Sequence, residues 1–149
     1  QLHDSIISFV YLLFLIGMIS SILNAKLRNK LGTLNALKFS ILLLIVGIWI
    51  TLLPFLAFKI LGLAFSVYAF FSGHAIASGV VASRAEHHKA QASSLYLLFY
   101  YMGSSIGGTL AGIFYGLIQW PGVVFMITAF MIIAFIISLT IKQKTAYKS

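Results

Sequence analysis

Long uncharged apolar stretches alternate along this chain with short clusters of charge, and the stretch lengths set the number of elements. Ser5 to Asn24 contains no formal charge, and about 20 such residues suffice for a helix to cross a hydrocarbon core of about 30 Å. From Phe39 to Ser83 the only charge is Lys59. One helix of that length would measure about 67 Å, so the stretch must fold back. Pro54, which breaks a helical ladder, and Lys59, whose ammonium seeks an interface, bracket the predicted turn. Ala90 to Ile141 is again uncharged and too long for one crossing, and Gln119-Trp120-Pro121-Gly122 is its turn-forming cluster. Trp120 at that turn suits an interfacial aromatic belt. The pattern predicts an all-α fold, a polytopic transmembrane helical bundle with five spans at about 5–24, 37–54, 59–82, 91–118 and 121–141.

Composition supports a lipid solvent. The chain is 61% hydrophobic and 8% charged, against about 25% charged in water-soluble domains. A formal charge of +8 raises nucleic acid as a partner, but the basic residues sit in short runs between apolar stretches rather than along one soluble face, so nucleic acid is excluded and the lipid bilayer takes its place. Five spans put alternate connections on opposite sides. Lys26, Arg28, Lys30 and Lys38 flank the first connection, Arg84 and Lys89 the third, and Lys142, Lys144 and Lys148 lie in the tail. All fall on one side, and Lys59 is the lone basic residue on the other. The positive-inside rule then places the N-terminus outside and the C-terminus in the cytoplasm, in a plasma (inner) membrane. With no cysteine, disulfides and thiolate metal sites are unavailable. The chain opens on Gln1 and has no basic n-region before its first apolar stretch, which argues against a signal peptide and for a fragment of a longer chain.

Small residues are unevenly spread. In lipid, helices associate by close packing through small residues. Span two is Leu/Ile-rich and span five is bulky, with Phe125, Met126, Phe130, Met131 and Phe135, so these two are expected at the periphery. Spans three and four are small-residue-rich and expected at the centre. On a helical wheel Ile106, Leu110, Ile113, Phe114 and Leu117 occupy an arc of about 100°, leaving mostly small residues elsewhere. Gly103, Gly107, Gly108, Gly112 and Gly116 are therefore expected to pack against protein, Gly108, Gly112 and Gly116 as two overlapping GxxxG steps.

Candidate chemistry is sparse. No Asp or Glu lies inside a span, and neither HExxH nor GxSxG occurs, so no catalytic residue, enzyme activity or cofactor is assigned. His74 is the one readily titratable side chain near the middle of a span, and an ordinary pKa of about 6.5 would let it carry protons or meet an anionic substrate. Ser66, Phe70, His74 and Ser78 step by four residues into a partly polar stripe that could line a cavity. A neutral histidine bonded to a neighbouring helix is the competing reading. Tyr96 and Tyr100 lie four apart on the fourth span, and Tyr11 stands in the first. Their phenols suit a pocket for aromatic or drug-like molecules, and equally suit packing with one satisfied hydroxyl. Adjacent His87 and His88 in a charged loop read as solvated, so no metal site is assigned.

Two segments resemble a known family. Ala25-Lys26-Leu27-Arg28-Asn29-Lys30-Leu31-Gly32 is similar to a degraded form of the major facilitator signature G-x-L-x-D-R-x-G in a cytoplasmic loop. The Leu, basic and Gly positions match, while Ala25 stands for the Gly and Asn29 for the Asp, which puts the charge relay associated with that loop in doubt. The motif positions kept for function are Lys26, Leu27, Arg28, Asn29, Lys30 and Gly32. The segment from Arg84 to Gly112 resembles the loop 10 to helix 11 region of drug-efflux-like members. The resemblance covers nearly the whole chain and implies a partial major-facilitator fold, helices 8 to 12, with the N-terminal half of the same transporter missing as a partner. It implies helices 8, 10 and 11 near a central cavity, 9 and 12 outside, and a small-molecule substrate bound near the midplane between two halves that rock to alternate access. The function implied is secondary transport, in the manner of a proton-coupled exporter or antiporter, of a small organic solute. The alternative is a small multi-span structural or assembly subunit without transport activity.

Overall fold

A backbone in hydrocarbon has no water to bond, so each segment must satisfy its own N–H and C=O groups, and apolar runs of this length do so as helices. The structure, a computed structural model, describes residues 4–141, with the side chains of 4–14, 18, 21 and 22 outside the description. The described residues contain no strand. They form α1 (Asp4–Leu31), α2 (Thr33–Ile50), α3 (Leu56–Arg84) and α4 (Lys89–Thr140). The last three are each long and apolar enough to cross a membrane, and α4, at 52 residues, has about twice the length one crossing needs. The tail with Lys142, Lys144 and Lys148 lies outside the described residues.

Each connection has a local cause. The basic cluster expected in a loop is helical instead: α1 runs through Lys26, Arg28 and Lys30 and stops at Leu31, because cations in a last turn complement the negative end of the helix. One residue, Gly32, separates α1 from α2. Its φ of 80° and ψ of 158° belong to a region open essentially to glycine, and its N–H donates to the Arg28 carbonyl at 2.8 Å. α2 stops at Ile50, four residues short of the expected Pro54. The N–H groups of Thr51, Leu52 and Leu53 reach back three residues, to Ile48, Trp49 and Ile50 at 3.2, 3.0 and 3.1 Å, tightening the end before Pro54 forbids further helix. Lys59 then lies in the first turn of α3 rather than in the connection, its N–H bonded to the Phe55 carbonyl.

The long helix is not continuous. Ile118 (φ −139°, ψ 28°) and Gln119 (φ 58°, ψ −148°) are non-helical, dividing α4 into a first limb, 89–117, and a second, 120–140. Pro121 has no N–H to bond back into the first limb. Gly122 sits so close to the Phe114 carbonyl that a Cβ there would collide with it. The Trp120 indole N–H donates to Thr51 Oγ1 at 2.8 Å, tying the break to the end of α2.

Packing is dominated by α2 against α3. The two backbones touch at Gly47 and Gly62, where a Cβ on Gly62 would lie 2.6 Å from the Gly47 carbonyl oxygen and one on Gly47 2.7 Å from Ser66 Oγ. α1 joins through Gly17, whose added Cβ would meet the Phe71 ring at 2.7 Å. The second limb of α4 lies on α2 through buried Val123, Val124 and Met126, reinforced by Trp49. That indole donates to Thr128 Oγ1 at 3.0 Å and meets Phe125 edge-on at 5.6 Å.

Within the described residues of this chain, α2 and the first limb of α4 are packed very differently from each other. α2, placed at the periphery, is in this chain the helix most embedded in its neighbours, with Ala36 and Ser40 fully enclosed. The first limb of α4, placed at the centre, contains no buried residue. A Cβ on Gly103, Gly107, Gly108, Gly112 or Gly116 would meet nothing within 4 Å. Small residues permit close approach only where a second helix supplies the opposing surface, and among the described residues none comes that near to these glycines.

Candidate functional site

The first limb of α4 meets the bundle near its start, and the residues there are aromatic. Tyr96 and Tyr100 share a face at i, i+4, and Phe70 and His74 share one on α3 for the same reason. The Tyr96 hydroxyl lies 3.0 Å from His74 Nδ1 and 3.3 Å from the His74 carbonyl oxygen. The His74 ring is 4.5 Å from that of Tyr100, centroid to centroid, 5.5 Å from Tyr96, and stacked on Phe70 at 6.2 Å with 13° between planes. Phe70 in turn lies 6.3 Å from Tyr100. Four rings thus form one cluster holding α4 to α3.

This cluster borders a cavity of about 370 Å³ between α2, α3 and both limbs of α4, within the range of about 300–1,000 Å³ usual for small-molecule pockets. Phe70, His74, Tyr96 and Tyr100 form one wall, and Leu37, Ile41, Leu44, Met131, Ala134 and Ile137 supply apolar surface opposite. Gly73 and Ala77 keep the α3 side open. The arrangement offers an aromatic, mostly apolar chamber with an imidazole, two phenols and two serine hydroxyls, Ser40 and Ser138, as its polar side-chain groups. Such a set can orient an amphipathic molecule by one or two hydrogen bonds while its rings and methyl groups take up the rest.

Of the cavity residues expected from sequence, Phe70, His74, Tyr96 and Tyr100 converge. Ser66 does not join them. Its hydroxyl donates to the Gly62 carbonyl at 2.8 Å and faces Gly47, because the α3 surface one turn before Phe70 is taken up by α2. The side chain of Tyr11 lies outside the described residues. Lys26, Leu27, Arg28, Asn29, Lys30 and Gly32, in the last turns of α1 and at the α1–α2 connection, are not among the residues that line this cavity.

Sequence reasoning passed over a polar string behind the cavity. Asn24 Nδ2 donates to the Ser72 carbonyl at 3.1 Å, Ser72 Oγ lies 3.0 Å from Ser40 Oγ, and Ser40 Oγ donates to the Ala36 carbonyl at 3.0 Å. The string links α1, α3 and α2, with all three side chains buried. Asn24 Oδ1 is left without a hydrogen-bond partner. An asparagine ending an otherwise apolar span was the available signal, but which helices it would join could not be read from spacing.

These features define a class: an α-helical membrane protein with an aromatic-lined cavity between its helices and no acidic residue within its apolar runs. The comparisons with known proteins make the class specific. Over 134 residues, 90% of its length, the chain is 41% identical to the MFS-type transporter YybF of Bacillus subtilis, of which it covers 33%. It is 37% identical over 142 residues to a transporter of Buchnera aphidicola from Schizaphis graminum, covering 34% of that protein. Half of the chain, 75 residues, is 43% identical to the inner membrane transport protein YnfM of Escherichia coli, covering 18% of it. No family model matches, and no solved structure matches. Over nearly its whole length the chain is homologous to part of the major facilitator type of transporter, and it spans about a third of the length of the curated relatives it matches.

Proposed function

We propose that this chain is the C-terminal membrane region, helices 8 to 12, of a secondary transporter of the drug-efflux-like branch, and that its chamber receives part of a small organic solute during alternating access. The observation that carries this is the convergence of Phe70, His74, Tyr96 and Tyr100 on one cavity between α2, α3 and α4. A ring cluster joining α3 to the first limb of α4 can transmit occupancy into movement of that limb. A solute inserted between His74 and the tyrosines would loosen the limb, and its departure would let the rings close again. The solute class that fits is aromatic or lipophilic with one or two polar atoms.

The test uses the full-length transporter in vesicles. His74→Ala and Tyr100→Ala should each lower transport of lipophilic aromatic solutes at least tenfold with the amount of protein in the membrane unchanged. Unaltered transport in both variants would remove the chamber from the substrate path. Orientation has its own measurement. With no native cysteine, single thiols introduced at Ser149 and Gln119 should label from opposite faces of an inner membrane, Ser149 from the cytoplasm.

One observation favours a second reading. The exposed glycine face of the first α4 limb fits close approach by a helix from another polypeptide, as an assembly subunit would need. Copurification of a stable partner without any transport would support it.

A further inference from the structure

We propose that His74 is a two-way recognition residue: through Nε2 its imidazole meets the occupant of the chamber as a hydrogen-bond donor in one tautomer and as an acceptor in the other, with Tyr96 adjusting to either. The inference rests on the chamber as the place of the solute and adds the chemistry of the contact made there.

The geometry is that of one phenol with two acceptors. The Tyr96 hydroxyl carries a single hydrogen, and it lies 3.0 Å from His74 Nδ1 and 3.3 Å from the His74 carbonyl oxygen. In a neutral imidazole one nitrogen bears the hydrogen and the other a lone pair, and the bond made by one nitrogen sets the role of the other. When the Tyr96 hydroxyl donates to Nδ1, the ring hydrogen is on Nε2. When Tyr96 turns its hydrogen to the carbonyl, its oxygen accepts from Nδ1–H and Nε2 keeps a lone pair. Both arrangements fill the 3.0 Å contact, so neither leaves Nδ1 unpaired at the desolvation cost such a group carries, and an occupant that prefers one shifts the balance toward it. The interchange breaks one N–H bond at Nε2 and forms one at Nδ1, the hydrogen being carried by water entering the chamber, and the charge of the ring is unchanged.

Nε2 is the nitrogen that an occupant meets. It makes no hydrogen bond among the described residues, yet it is not enclosed, since Asn24 Oδ1 is the one buried side-chain N or O atom among them without a partner. The ring that carries it lines the chamber, and Tyr100 at 4.5 Å and the stacked Phe70 restrict its rotation. The chamber's serines are less versatile. Ser40 and Ser138 donate to the Ala36 and Phe135 carbonyls at 3.0 and 2.6 Å, which leaves their oxygens only to accept. A wall whose imidazole changes between donor and acceptor admits neutral aromatic solutes with a polar atom of either kind, N-heteroaromatic rings being the simplest.

Solid-state nitrogen NMR of the full-length transporter in lipid, with isotope-labelled histidine, reads the tautomer directly. The His74 signals are those lost in His74→Gln, or in His74→Phe if the first variant does not fold. The probes are bicyclic and of similar size: quinoline only accepts a hydrogen bond, indole only donates one, and naphthalene does neither. With quinoline the Nε2–H form should exceed the Nδ1–H form by about tenfold or more, and with indole the ratio should reverse. Naphthalene should leave the ratio of the empty protein. Tyr100→Phe should keep both responses, which separates the imidazole from the neighbouring phenol. The same tautomer with quinoline and indole, a ring protonated on both nitrogens in their presence, no change with any probe, or loss of the responses in Tyr100→Phe overturns the proposal. The place of the chamber in the transport path fails separately, by unaltered transport in His74→Ala and Tyr100→Ala.

Discussion

The α2–α3 crossing and the first limb of α4 use the same residues to opposite effect. At the crossing, Gly47 and Gly62 bring two backbones into contact, and a methyl group on either would have to displace main-chain atoms. Along the limb, five glycines face open space. Glycine content alone does not distinguish the two, although the limb is the richer. The difference lies in whether a partner surface completes the contact, since in lipid the attraction between helices is mostly van der Waals packing that a gap forfeits. The bundle is consequently tight at α2–α3 and hinged on four rings at α3–α4.

Substitutions should separate these regions in graded steps. Gly62→Val places branched carbons against the Gly47 carbonyl and the Thr51 backbone, and should cost about 3 kcal/mol or prevent folding, measured by thermal unfolding in detergent. A loss below 1 kcal/mol would show that the two helices can separate freely. Gly32→Ala strains a φ of 80° and should cost about 1–3 kcal/mol by the same measurement, with the added sign that helix content by circular dichroism is kept.

Smaller effects are expected at the break and on the limb. Gln119 holds a positive φ of 58° with ψ of −148°, so Gln119→Gly removes about 1–3 kcal/mol of strain and adds about 0.5–1 kcal/mol of unfolded-chain entropy. The difference predicts a net gain of about 1 kcal/mol, and a loss would mean the break is held by contacts of the Gln119 side chain. Gly112→Ala should gain about 0.5–1 kcal/mol, the helix preference of alanine over glycine, because nothing opposes the added methyl. Destabilisation there would reveal an opposing surface on the limb, the condition the assembly reading requires.

Hydrophobic patterning alone makes the helical segments legible. The Gln119 to Gly122 cluster contains one of the two non-helical residues of α4, and Pro54 stands in the α2–α3 connection. The pairing of His74 with the two tyrosines was partly legible as well, since i, i+4 spacing assigns each pair a common face. Ser66 shows the limit. It shares that spacing with Phe70 and His74, yet the α2–α3 crossing comes one turn earlier than the chamber and covers it. Asn24, Ser72 and Ser40 were unreadable as a group because each lies on a different helix, and only the way the three helices pack brings them together.

The sequence by itself determined that this chain is helical and suited to lipid, because apolar length, absence of embedded charge and the placement of Pro and Gly act through local backbone chemistry and solvent transfer. Only the tertiary structure decided which glycines are contacts and which aromatic residues share a chamber. Those outcomes depend on the relative rotation and crossing of helices distant in sequence, and in a uniformly apolar chain no periodic polar face announces that rotation in advance.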